Sequence, residues 1–166
     1  MAFKRQTPRR SRLLHAPTVL SAACLLAFAT RAQAGVEPTW CVRLATPQIA
    51  SASLGILVGQ TEPPDPPPPG TNLSKGVLFQ VEPCIAGGKV SLGVAKGLFP
   101  YAGAGIKLSV LRTWGHPLFT EPRRTYAGIE GEASFFVNYQ LGVMKRVAGA
   151  SDAPGVIVTG GIGLGF

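Results

Sequence analysis

Residues 155–166 read GVIVTGGIGLGF, and this stretch decides how the rest of the chain is interpreted. Apolar side chains occupy alternate positions, with glycine or threonine at most positions between them. The apolar positions are Val156, Val158, Ile162, Leu164 and Phe166. Because successive side chains of a β-strand point to opposite faces, the alternation predicts a strand with two different environments. The bulky Phe166 needs a structural reason, since the ends of soluble domains usually fray into water.

The same period of two continues upstream through most of the chain. No segment after residue 34 keeps the 3.6-residue period of an amphipathic helix, so the sequence predicts an all-β fold. Several alternating segments exceed the usual five or six residues of globular strands. The further segments are residues 47–59, 76–85, 90–97, 104–114, 125–133 and 135–146.

Two architectures fit this alternation, and the residues opposite the apolar face choose between them. A soluble sandwich would carry solvating charges on its second face, whereas the interior of a narrow membrane barrel needs small and polar side chains. The second face of these segments is rich in glycine. The charged residues of these segments are few, and they are gathered on this same face. The main ones are Glu82, Lys107, Glu130 and Glu132. The pattern therefore favours an antiparallel up-and-down transmembrane β-barrel.

The four charged residues form a predicted interior polar cluster. Glu130 and Glu132 lie two residues apart on one strand, so they share a face, and Lys107 on the same face can neutralise them. We interpret the cluster as a structural set of salt bridges. The alternative is a proton-relay or ion site.

The terminal stretch resembles the C-terminal signature of Gram-negative outer-membrane β-barrel proteins, which end on an aromatic residue preceded by alternating apolar positions. The resemblance is close over about twelve residues and looser over the glycine-rich remainder. It implies a small outer-membrane barrel whose outer wall contacts outer-membrane lipids. It also implies that the barrel-assembly machinery reads the signature, which comprises Val156, Val158, Ile162, Leu164 and Phe166.

The number of strands follows from the need to close the barrel in lipid, where an open edge leaves backbone groups unsatisfied. Seven strands are visible, and bacterial barrels have even strand numbers. Residues 35–45, GVEPTWCVRLA, are the best candidate for an eighth strand. We therefore expect eight strands, with six or ten as alternatives.

The first 34 residues have the three parts of a secretory signal peptide. A basic opening precedes the apolar run APTVLSAACLLAFAT, and the small residues Ala32 and Ala34 flank Gln33. Cleavage after Ala34 would leave residues 35–166 as a single barrel domain. Within that domain, residues 61–70 form a predicted stiff loop rich in proline, because proline cannot donate to a strand ladder.

The formal charge of +8 does not indicate a nucleic-acid partner, because of where the basic residues lie. Six of the 16 basic residues and none of the eight acidic residues precede residue 35. The mature chain is therefore almost neutral, and it contains no long basic run.

Two cysteines remain after the expected cleavage, Cys41 and Cys84. An exported protein enters an oxidising compartment, so a disulfide between them is permitted. Two separate thiols are the equal alternative, since sequence does not show how close their α-carbons come.

The pattern predicts a structural or interaction protein, with no metal or cofactor. One histidine and two cysteines do not match a common zinc spacing. A lipid-modifying outer-membrane enzyme is one alternative, with His116 as base, Ser109 or Ser134 as nucleophile, and Glu121 or Glu130 as the third group. A soluble periplasmic or secreted β-sandwich that binds a ligand is the other.

Overall fold

The computed structural model describes residues 34–62, 72–99, 101–149 and 154–165. The expected signal peptide, apart from Ala34, lies outside the described residues. The same is true of Phe166 and of most of the proline-rich segment, since residues 63–71 are not described.

Eight antiparallel strands form one closed barrel in which each strand pairs with its neighbours along the chain. The closing pair joins the first strand to the last, with Cys41 opposite Gly165 and Thr46 opposite Gly160. The prediction of an all-β, eight-stranded, up-and-down barrel is confirmed, and the sandwich alternative is wrong. The strands are β1 (Ala34–Thr46), β2 (Ile49–Glu62), β3 (Asn72–Cys84), β4 (Gly87–Phe99), β5 (Ala102–Thr113), β6 (Thr125–Phe135), β7 (Val137–Ala148) and β8 (Val156–Gly165).

The strand that sequence could only infer, residues 35–45, is β1. Its side chains alternate as in the other strands, with Val42 and Leu44 exposed on the outside and Arg43 buried on the inside. β2 continues to Glu62, so it includes the first two residues of the segment that we expected to be a proline-rich loop. In the described ranges, no helix is long and apolar enough to cross a membrane.

The outer wall of the barrel is mainly apolar. Large apolar side chains from every strand point outward and are exposed, as in Leu54 and Leu108, each at 65%. The interior instead buries charged and polar groups from the alternate positions. Water-soluble proteins bury apolar groups and pair or expose their charges, so this arrangement is inverted.

The two ends of the barrel differ in their connections. We name the end that carries residues 47–48, 85–86, 114–124, 149 and 154–155 the upper end. The lower end carries the turns at Tyr101 and Phe136, and the first residue of β1 and the last of β8 also lie there.

A loop and a small apolar layer cover the upper end. In loop 114–124, the Leu118 amide donates a hydrogen bond to the Pro47 carbonyl, 2.9 Å away in the β1–β2 turn. Beneath it lies a buried apolar cluster, formed by Leu111, Tyr126, Met144 and Ile157. This layer separates the polar interior from the upper mouth.

Candidate functional site

Six charged side chains occupy the middle of the barrel, and we call them the charged plug. Their charges balance, because three are cations and three are carboxylates. None of the six side chains is more than 2% exposed except that of Glu132, at 11%. Buried charges in a protein must be paired, because removing an isolated ion from water is very costly. The members are Arg43, Glu82, Lys89, Lys107, Glu130 and Glu132.

The charged plug is a continuous chain in which cations and anions alternate. It runs from Lys107 to Glu132, Arg43, Glu82, Lys89 and finally Glu130. Arg43 bridges two carboxylates, at 3.5 Å from Glu82 and 3.7 Å from Glu132. Lys89 bridges Glu82 at 3.1 Å and Glu130 at 3.2 Å. Each internal charge therefore has two partners of opposite sign.

Glu130 is the most completely coordinated carboxylate of the charged plug. Besides Lys89, three neutral groups donate hydrogen bonds to its oxygens. Ser109 Oγ lies 2.6 Å away, Gln140 Nε2 2.5 Å and Thr159 Oγ1 2.9 Å. These donors come from β5, β7 and β8, so Glu130 on β6 ties four strands together. Charge-assisted hydrogen bonds of this kind are stronger than neutral ones.

At the lower end of the charged plug, Lys107 and Glu132 form an ion pair and a hydrogen bond. Lys107 also donates to Gln80 Oε1 at 2.7 Å, and Asn138 Nδ2 donates to Glu132 Oε1 at 2.9 Å. Neutral amides therefore complete the partners of both charges, as a buried ion pair requires.

The interior contains no wide channel in the part of the chain that the structure describes. A cavity of about 30 Å³ lies beside the charged plug and is bordered by Thr39, Gln80, Glu132 and Ser134. This volume is the space of roughly one water molecule. An eight-stranded barrel is just wide enough for its own side chains, and here they fill it.

Interior glycines provide the room that the long charged side chains occupy. A Cβ added at Gly142 would lie 2.5 Å from Glu130 Cγ, and one at Gly163 would lie 2.5 Å from Arg43 Cβ. Both distances are far shorter than van der Waals contact. These two glycines are thus matched to charged side chains on neighbouring strands.

The structure brings together all four residues of the polar cluster expected from sequence, and it adds Arg43 and Lys89. Sequence reasoning missed these two cations, although alternation carried the signal. Arg43 lies between the apolar Val42 and Leu44, and Lys89 has the same parity as the inward Ser91.

Cys41 and Cys84 are free thiols in the structure. Cys41 is on β1 opposite Ser53 of β2, and Cys84 is on β3 opposite Ser51 of β2. Since β2 lies between them and adjacent strands are ~4.8 Å apart, their α-carbons exceed the ~7 Å limit for a disulfide. Gln48 Nε2 donates to Cys84 Sγ at 2.8 Å.

The residues considered for a hydrolase do not assemble around His116. His116 is exposed in the upper loop, whereas Ser109 is buried in the interior and donates to Glu130. Ser134 lies near the lower end, and Glu121 pairs with Arg124 at 2.7 Å. Within the described ranges, no group of three or more His, Cys, Asp or Glu residues could hold a metal ion.

The residues of the terminal signature that the structure describes lie on the outer wall of β8. Val156, Val158, Ile162 and Leu164 are all more than half exposed. They form an apolar stripe, interrupted at Gly160, beside β1 and β7.

Comparisons of this chain with protein-family models, with curated proteins and with solved structures find no match. Its function must therefore be inferred from the apolar outer wall and the charged plug of the eight-stranded barrel.

Proposed function

We propose that this chain is an outer-membrane β-barrel protein that spans the bilayer as a structural or interaction protein. The observation that carries the proposal is the inverted distribution of its side chains. Apolar residues cover the outer wall and paired charges fill the interior. Lipid is the solvent that favours such a surface, and closure leaves no strand edge unsatisfied in it.

The dimensions of the barrel agree with a bilayer. Its strands contain 10 to 14 residues, and a tilted transmembrane strand needs about 9–11. Aromatic side chains mark both ends, with Trp114 and Phe119 exposed at the upper end and Phe135 and Phe136 at the lower end. Aromatic residues are enriched at membrane–water interfaces, so these positions suit the two headgroup regions.

The charged plug supports a structural role over transport. Its side chains fill the centre of the barrel, and the adjoining cavity has room for about one water molecule. We infer that the barrel anchors and presents its loops without conducting solutes. Its proposed contacts are outer-membrane lipids on the wall and, during biogenesis, the assembly machinery on the apolar stripe of β8.

Gel mobility tests this proposal directly. The outer-membrane fraction should contain a band that migrates differently in SDS before and after boiling, because a closed barrel resists detergent until heated. A protein found only in the soluble periplasm, with no shift on boiling, would refute the membrane location. Purified barrel in planar bilayers should show no conductance steps, and steady ion conductance would refute the structural role of the charged plug.

A further inference from the structure

Two lysines lie side by side on the outer wall near its lower end. Lys75 of β3 and Lys96 of β4 are directly opposite in the strand register, and both are exposed. Directly opposed residues have Cβ atoms about 5 Å apart, and like charges at that spacing destabilise a sheet. An anion that contacts both ammonium groups would remove this repulsion.

The two lysines line a shallow groove of about 640 Å³ on the same wall. Ala104 of β5 is opposite Lys96, and its small side chain leaves a depression beside the ammonium group. The next outward row consists of Val77, Val94 and Ile106, which are also opposite one another across the three strands. The groove is therefore cationic at one edge and apolar along the rest.

This division matches the chemistry of a single lipid. A phosphate can accept hydrogen bonds from two ammonium groups, and an acyl chain can lie along exposed valine and isoleucine side chains. Val94 and Ile106 are 61% and 63% exposed, so their surface is available to a hydrocarbon chain. Lys75 also interacts within the protein, and its ammonium has three donors to share.

We propose that this groove binds one lipid with an anionic, phosphate-bearing headgroup. The phosphate lies between Lys75 and Lys96, and one acyl chain occupies the depression at Ala104 and continues along Ile106. The site rests on the proposed membrane-spanning function, because only then does the groove face lipid. Juxtamembrane lysines each favour anionic lipid by about 1 kcal/mol, which is roughly fivefold per lysine and about 30-fold for the pair.

Among the described residues, no two lysines are directly opposite each other at the upper end of the outer wall. A lysine there can therefore be replaced as the control. Lys145 of β7 is exposed on the outside, but its opposite neighbours are Ala127 and Val156. A single lysine there has no cationic partner directly across a strand. Lys145→Gln therefore removes one outward charge without altering the groove.

The experiment measures lipid binding to the folded, detergent-solubilised barrel. Protein is mixed with phosphatidylglycerol and phosphatidylcholine in equal amounts, and the lipids that stay bound are quantified by native mass spectrometry. We expect about 30-fold more phosphatidylglycerol than phosphatidylcholine for the natural sequence and for Lys145→Gln. The double variant Lys75→Gln with Lys96→Gln should lose the preference, and Lys75→Arg with Lys96→Arg should keep it.

Two results would overturn the proposal. One is an unchanged preference in the Lys75→Gln, Lys96→Gln variant. The other is full competition by millimolar inorganic phosphate, which would identify a free anion as the occupant. If the double glutamine variant fails to fold, Ala104→Leu, which fills the depression that holds the acyl chain, serves as the second test: it should lower the bound amount of both lipids, and unchanged binding would overturn the proposal. Insertion into pure phosphatidylcholine vesicles is measured separately, so failure of the membrane-spanning function is distinguished from failure of the lipid site.

Discussion

Lys89 on β4 reaches Glu130 on β6 across the intervening strand β5, and its Nζ lies 3.2 Å from each oxygen of the carboxylate. Residues on second-neighbour strands are too far apart for a direct cross-strand contact on a flat sheet. Curvature of the barrel wall turns both side chains toward the axis, where they meet. The contacts between the interior charges therefore depend on closure of the barrel.

The most sensitive position of the charged plug is Glu130. Glu130→Gln keeps the size of the side chain but removes the charge that Lys89, Ser109 and Thr159 contact. Because one buried cation then loses a partner, we expect the free energy of unfolding to fall by about 3–5 kcal/mol. Urea unfolding in phosphatidylcholine vesicles measures this. Glu121→Gln, which removes an exposed pair with Arg124, should change stability by no more than about 0.5 kcal/mol.

The balance of charge inside the barrel predicts strong coupling between Lys89 and Glu82, whose charged atoms are 3.1 Å apart. Lys89→Met alone leaves an excess of buried carboxylate, and Glu82→Gln alone leaves an excess of cation. The double variant is neutral again, so its loss of stability should be smaller than the sum of the single losses by about 1–3 kcal/mol. Strictly additive losses in the same urea assay would contradict a connected charged plug.

Substitution of the outer wall separates a lipid-facing surface from a water-facing one. Leu108 lies in the middle of β5, opposite Leu92 and Ile129, and points outward. Leu108→Arg should lower the stability of the barrel in vesicles by about 2–4 kcal/mol, because arginine at the bilayer midplane is costly. Phe119→Arg in the upper loop, in the expected headgroup region, is the control and should cost no more than about 1 kcal/mol. A neutral Leu108→Arg would indicate that the wall faces water.

Gly142 on β7 and Gly131 on the adjacent strand β6 form a matched pair for testing how tightly the interior is packed. A Cβ at Gly142 would meet Glu130 and Thr159, whereas at Gly131 the nearest atom is 3.9 Å away. We expect Gly142→Ala to destabilise the barrel by about 1–3 kcal/mol, as overpacking does. Gly131→Ala should change the midpoint of urea unfolding very little. Equal effects at both sites would show that the interior tolerates a larger side chain beside Glu130.

The buried thiol of Cys41 provides a test of interior packing by chemical labelling. Its side chain is only 1% exposed and lies on the inner wall near Arg43. Folded barrel treated with a maleimide should therefore remain unlabelled at Cys41 and become labelled only after unfolding. Mass spectrometry of tryptic peptides identifies the modified cysteine. Rapid labelling of Cys41 in the folded state would reveal an interior open to solvent.

Alternation in the sequence was sufficient to predict seven of the eight strands and their two faces. It placed Leu54 outside and Glu130 inside without any knowledge of the partners, because the side-chain period of a strand is fixed by its backbone. It also indicated residues 35–45 as the eighth strand, since a barrel in lipid must close with an even number. The same alternation predicted the inverted distribution, with apolar residues outside and polar residues inside.

Tertiary structure alone decided which interior groups meet. Parity assigns Arg43 and Lys89 to the inner face, but only closure of β1 onto β8 and the register of all eight strands bring them between Glu82, Glu130 and Glu132. Tertiary structure also decided that Cys41 and Cys84 do not pair, because β2 lies between them. A repeat along one strand carries no information about its stagger against strands far away in the chain, and that stagger determines the contacts inside a barrel.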